Sequence, residues 1–172
     1  MLQEISNYGF YSIYHAQRAD IPDIHEIDGI SFISTVSTEW VEKRREHYKD
    51  RFFVAKKHSN GKIIGFLSGA HENYYPDKLP GYTYISRFAV SDRHRRCGVG
   101  TALLTTLYDA LIPNPDTRGV VADVRKTNIP SLNFFLQKHG FSVHQGASAP
   151  GWYERGNTPE ERHKIVVYKT FL

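Results

Sequence analysis

Phe88-Ala89-Val90-Ser91-Asp92-Arg93-His94-Arg95-Arg96-Cys97-Gly98-Val99-Gly100-Thr101-Ala102-Leu103-Leu104 is the stretch that decides the fold. An apolar, β-prone end (Phe88, Ala89, Val90) runs into a basic turn with two glycines. The turn opens into an apolar pattern of helical period. A strand, a glycine turn and a helix start together make an anion-binding geometry. The first N–H groups of a helix have no internal partner, and the helix dipole is positive there. Gly98 and Gly100 leave no Cβ between the backbone and a ligand. Arg95 and Arg96 add charge and paired donors.

Working outward, Thr83–Val90 reads as the strand that feeds this turn, and Leu103, Leu107 and Leu111 as the buried face of the helix that leaves it. Pro113 and Pro115 stop that helix. Upstream, Tyr11–Arg18 reads as a first strand, and Asp20 before Ile21-Pro22 as a helix start. Ile24, Ile27 and Ser31 form that helix's inner face, with Ile30 alongside. A second helix is capped by Ser37 or Thr38 and places Trp40, Val41, Arg44 and Tyr48 on one face. Arg51–Lys57 and Lys62–His71 read as a strand pair joined at Asn60-Gly61. Within the second of these, Gly65 and Gly69 signal a bulge or the close approach of another group. Downstream, Gly119–Val124 reads as a strand buried on both faces. A helix follows from Pro130, with Leu132, Phe135 and Leu136 inward. Gly140 ends it, Phe141 begins a strand, and His163–Phe171 is the last strand. The expected fold class is α/β: a mixed, mostly antiparallel sheet of about seven strands with helices on its faces, in one domain over residues 1–172.

Composition narrows the classes. The chain has 172 residues, enough for one domain with a core, and its 11 Tyr and 10 Phe argue against disorder. The net charge of +4 favours anionic partners without demanding a polymer. Cys97 is the single cysteine, so no intrachain disulfide framework exists. No secretory signal is read at the start, and no stretch approaches the roughly 18 apolar residues of a membrane span. The cytoplasm is the expected compartment. The histidines show no metal-ligand spacing. The turn is neither a dinucleotide fingerprint, since Leu103 stands where a third glycine should be, nor a nucleotide P-loop, since no Gly-Lys-Ser/Thr follows.

Three motifs in order resemble the GNAT superfamily of acyl-CoA-dependent N-acyltransferases. Arg95-Arg96-Cys97-Gly98-Val99-Gly100 is similar to its R/Q-x-x-G-x-G/A turn, with Val90 at the strand end. Asp123–Asn128 resembles its next strand, closing in Asn, and Ser131 through Gly140-Phe141 resembles the following helix. The element order fits from about residue 11 to 171. Two departures stand out. The segment from Asn128 to Gly140 is one residue longer than the family spacing. The tyrosine the family often carries on this helix as a general acid is absent, with Phe134, Phe135 and Leu136 in its neighbourhood.

The resemblance implies an N-acetyltransferase that passes an acetyl group from acetyl-CoA to a primary amine by direct attack on the thioester, without a metal. It implies donor contacts from Phe88, Ala89 and Val90 along the strand, from Arg95, Arg96, Cys97, Gly98, Val99, Gly100 and Thr101 at the turn, and from Asn128 and Ser131 at the next helix start. Arg93 and Lys126 are further phosphate candidates. Backbone N–H groups near Val90 would meet the oxyanion. Some family members place a glutamate at the position held here by Tyr84; Tyr84 and Tyr153 are the catalytic candidates, with Ser86 and Tyr168 behind them. The acceptor, a small-molecule amine or a peptide or protein amine, would be chosen by the early helices and the loops at 71–83 and 145–161, which carry Tyr74, Tyr75, Tyr82, Trp152 and Tyr153. Whether the acyl group is acetyl or longer stays open, as does a homodimer. Two other classes compete: a non-catalytic acyl-CoA sensor, kept open by the missing tyrosine, and a basic nucleic-acid module using Arg93–Arg96, disfavoured by the short basic run. Asp123 reads as a sheet or loop partner, and Asn128 as a helix cap, a donor contact or both.

Overall fold

In the computed structural model, residues 4–32, 36–70, 79–144 and 164–171 are described. Eight strands join one sheet: β1 (Glu4–Asn7), β2 (Tyr11–His15), β3 (Phe52–Lys57), β4 (Ile63–Ala70), β5 (Tyr82–Val90), β6 (Gly119–Arg125), β7 (Ser142–Val143) and β8 (Lys164–Thr170). Their spatial order is β1-β2-β3-β4-β5-β6-β8-β7. Every pairing is antiparallel except β5 with β6, which is parallel. The mostly antiparallel sheet of about seven strands stands as expected, with eight among the described residues. The extra strand is β1, which forms a hairpin with β2 and is mostly exposed, so it lacks the apolar alternation that marks a strand in sequence.

Helices cover both faces. Helix α1 (Ile21–Ser31) and α2 (Thr38–His47) lie on one, α3 (Val99–Leu111) and α4 (Ile129–Leu132, running on as a π-helix over Asn133–Lys138) on the other. Leu103, Leu107 and Leu111 of α3 are buried against Ile13, Phe53, Ile85, Val120 and Ala122 of the sheet, as their spacing of four predicts. On the opposite face Ile24, Ile27 and Val41 pack on Phe52, Val54 and Phe66. Ile30 does not join them; it is 70% exposed, while the polar Asp28 of that helix is fully buried. Gly65 is explained by close approach, since a Cβ there would lie 3.1 Å from both the Ala89 carbonyl and Val99 Cγ1. At Gly69 the pairing of β4 with β5 shifts register, which is the expected bulge.

The π-helix accounts for the long spacing in the third motif. One extra residue between Asn128 and Gly140 is absorbed as a wider turn inside the helix, which keeps Phe135 and Phe141 in the core. Gly140, at φ +66°, then ends it. At the start of α2 the Ser37 hydroxyl accepts the Trp40 N–H at 3.1 Å. Removing that cap by Ser37→Ala is expected to cost about 1 kcal/mol, read as a lower midpoint in denaturant with an unchanged slope.

Candidate active site

The site grows from one topological fact. β5 and β6 pair only from Tyr82–Gly119 to Ile85–Ala122, although β5 continues to Val90 and β6 to Arg125. Beyond Ile85 the two parallel strands are no longer hydrogen bonded, and a wedge opens between them. The Ser91 N–H donates to Ile64 of β4 at 3.0 Å, so by alternation the backbone groups of Phe88 and Val90 face the wedge. Arg95 Nε donates to the Val90 carbonyl at 3.3 Å. Because the strands are parallel, the helices that follow them, α3 and α4, both begin at this end of the sheet, where open α/β sheets bind ligands.

The start of α3 carries free donors. Gly98 is its N-cap, in the left-handed conformation at φ +83°, and no side chain caps the helix. Ala102 N–H is the first to bond back, to Gly98 O at 2.9 Å. Val99, Gly100 and Thr101 therefore present N–H groups without an intrahelical acceptor, and the first turn holds no acidic residue. Arg96 is also left-handed, at φ +64°, which costs a non-glycine residue about 1–2 kcal/mol and turns the backbone sharply into the cradle. At Gly100 a Cβ would stand 3.3 Å from Phe134 and 3.5 Å from Phe88, so glycine there lets both rings close on the helix start. The rings of Phe88, Phe134 and Phe135 meet edge to face, with centroids 5.3–6.1 Å apart. They form an apolar wall where the family's phenol is absent.

Charge is concentrated but partly committed. Arg95 Nη2 pairs with Asp92 at 2.7 Å. Burial, and then the neighbouring Lys57 and Arg93, hold the His94 pKa below the usual imidazole value. His139 is lowered likewise, by burial and then by Lys138 and Lys169, and its Nε2 lies 3.3 Å from the Thr101 hydroxyl. Cys97 is exposed, with its thiol 3.6 Å from the Arg95 carbonyl. Asn128 caps α4, its Oδ1 accepting the Ser131 N–H at 3.2 Å. An open groove of about 630 Å³ runs beside the turn, lined by Tyr8, Tyr11, Cys97, Thr101 and Lys138 among others.

On the sheet face opposite α3 and α4, Tyr84 and Asp123 come together. Ile85 and Ala122 face α3, so their neighbours Tyr84 and Asp123 point the other way. The Tyr84 hydroxyl donates to Asp123 Oδ2 at 3.4 Å, bridging the strands where their pairing ends. This partnership is invisible locally; the only signal in sequence is a carboxylate inside an otherwise apolar strand. Ser86 Oγ lies 2.9 Å from the Ser68 carbonyl, which commits it to β4. Tyr168 packs edge-on against Tyr82 and His144. Tyr153, with Tyr74, Tyr75 and Trp152, lies outside the described residues. Among the described residues no group of three His, Cys, Asp or Glu side chains could hold a metal, and no helix is long and apolar enough to cross a membrane.

The sequence comparisons agree with this geometry. The profile of the Acetyltransferase (GNAT) family matches residues 21–141, and the chain belongs to that family. An N-alpha-acetyltransferase of Sulfurisphaera tokodaii is 31% identical over 107 residues, which span 59% of this chain and 62% of that protein. Ard1 from Thermoplasma volcanium superposes with a TM-score of 0.75 at 21% identity, covering 94% of this chain and 98% of its own. Arabidopsis thaliana Naa50, solved with the bisubstrate analogue CoA-Ac-MVNAL, gives 0.71 at 18% identity, covering 94% and 99%. These structural likenesses are likenesses of fold.

Proposed function

We propose that the protein transfers the acetyl group of acetyl-CoA to a primary amine, and that the amine is the α-amino group at the N-terminus of a peptide. The observation that carries the donor half is the wedge: backbone groups of Phe88 and Val90 face an open edge that leads to the unsatisfied N–H groups of Val99, Gly100 and Thr101. A donor with an amide-bearing arm and a pyrophosphate matches both, the arm pairing like an added strand and the phosphates meeting the helix start. The peptide acceptor is supported by the kinship to the Sulfurisphaera tokodaii N-alpha-acetyltransferase. Reaction in the cytoplasm, where acetyl-CoA is at hand, fits a chain whose single cysteine is an exposed thiol.

In this reading the residues divide the work. The turn from Arg95 to Thr101 holds the phosphates. Phe88, Phe134 and Phe135 exclude water from the donor side. A backbone N–H near Val90 stabilises the charge that develops on the thioester oxygen. Asp123 takes the proton that the attacking amine must lose, and Tyr84, hydrogen bonded to it, stands ready to donate to the departing sulfur. Tyr153 remains a second candidate for the acceptor side.

Two measurements test the two halves. Arg96→Gly removes a guanidinium while suiting the left-handed backbone. It is expected to weaken CoA binding about tenfold, the loss of one charge-assisted hydrogen bond, without lowering the melting temperature. Thiol release from acetyl-CoA is expected with peptides bearing a free N-terminus and not with the same peptides blocked there. Release that persists with blocked peptides carrying lysine would refute the α-amine assignment.

A further inference from the structure

We infer that the ion pair between Asp28 and Arg87 is a positioning device for the acceptor, an assignment that rests on the acetyl-transfer reading above. Asp28 belongs to α1 and its side chain is 0% exposed; Arg87 belongs to β5 and its side chain is 15% exposed. Their charged atoms lie 3.6 Å apart. The other Asp28 oxygen accepts the N–H of Val36, just before the cap of α2, at 3.0 Å. Arg87 lies over Phe32, the residue that ends α1, with its Cζ 4.4 Å from the ring centroid. The ring of Trp40 in α2 is 5.8 Å from the same Cζ, and Arg44 Cζ lies over that ring at 4.8 Å.

One carboxylate and one guanidinium thus tie together the end of α1, the approach to α2 and the free half of β5. Arg87 sits in the part of β5 that has lost β6, directly before Phe88, and on the opposite face from it. That is the face of Tyr84 and Asp123, from which an amine would approach. Burying a charge pair is a poor way to gain stability, since an apolar pair of equal volume does as well or better. What the pair supplies is geometry: a planar guanidinium between a fixed carboxylate and an aromatic ring accepts few orientations.

Arg87→Lys keeps the charge and loses the planar fork. Asp28→Asn keeps an acceptor for Val36 N–H and loses the charge. In both, the expected result is a KM for the peptide raised about fivefold or more, with the KM for acetyl-CoA within about twofold of the wild type. Faster hydrogen exchange of the Val36 amide is expected alongside. If Asp28→Asn does not fold, Arg87→Lys carries the test. A lower melting temperature with both KM values unchanged, or both rising together, overturns the proposal. If the wild-type protein does not acetylate peptides at all, the acetyl-transfer reading itself fails, an outcome read in the wild type before either variant is measured and so distinct from failure of the positioning claim.

Discussion

Tyr84→Phe is expected to lower kcat about 10²-fold, the low end of what a positioned proton-transfer group supplies, while leaving the KM for acetyl-CoA near its wild-type value. The reasoning is local. The phenol donates a long hydrogen bond, 3.4 Å, to Asp123, one position before the last pair of β5 and β6, Ile85 with Ala122. Its removal takes away a proton carrier and little structure, so the melting temperature should hold. Asp123→Asn is expected to act on the same step, and the double variant to be no worse than the poorer single one, since two groups working as a unit are not additive. Rates near wild type in Tyr84→Phe would transfer the role to another group, with Tyr153→Phe the next variant to measure.

Gly119→Ala is expected to be the most damaging single methyl addition for folding. Gly119 opens β6 between Tyr82 of β5 and Thr170 of β8. A Cβ there would overlap the backbone carbonyl of Lys169 and stand 2.8 Å from Tyr82 Cε1. A carbonyl held in a ladder cannot swing aside as a side-chain tip can. The substitution must break the β6–β8 register or push β5 away, at a cost of about 3 kcal/mol, the upper range for overpacking. For a chain of this size that lowers the melting temperature by roughly 6–12 °C. Thermal unfolding followed by circular dichroism checks it. Because β5 and β6 frame the wedge, surviving folded protein should also bind CoA more weakly.

What the sequence made legible follows from where its signals are local. The leucines of α3, the cap at Ser37 and the turn glycines each announce themselves within a few residues, and each stands as expected. The extra residue before Gly140 was countable, but its form was not: whether a helix absorbs an insertion as a π turn or a loop depends on Phe135 and Phe141 both reaching the core. The strand β1 was missed because an edge strand exposed along most of its length has no apolar face to show. Ile30 is read as lying alongside the inner face, yet it is exposed, while Asp28 of the same helix is buried with a partner, Arg87, distant in sequence. Asp123, read as a sheet or loop partner, does find a partner across the strands. Its meaning lies across the β5–β6 boundary, in a tyrosine that no spacing rule connects to it.

Acetyl transfer itself is the central claim, and mass spectrometry of one reaction tests it most directly. The purified protein is mixed with acetyl-CoA and a short peptide with a free N-terminus, and the products are fragmented. The account predicts a peptide heavier by one acetyl group, located on its α-amine, with an equal amount of free CoA. A peptide of unchanged mass, with acetyl-CoA intact across a panel of N-terminal residues and amines, would contradict it.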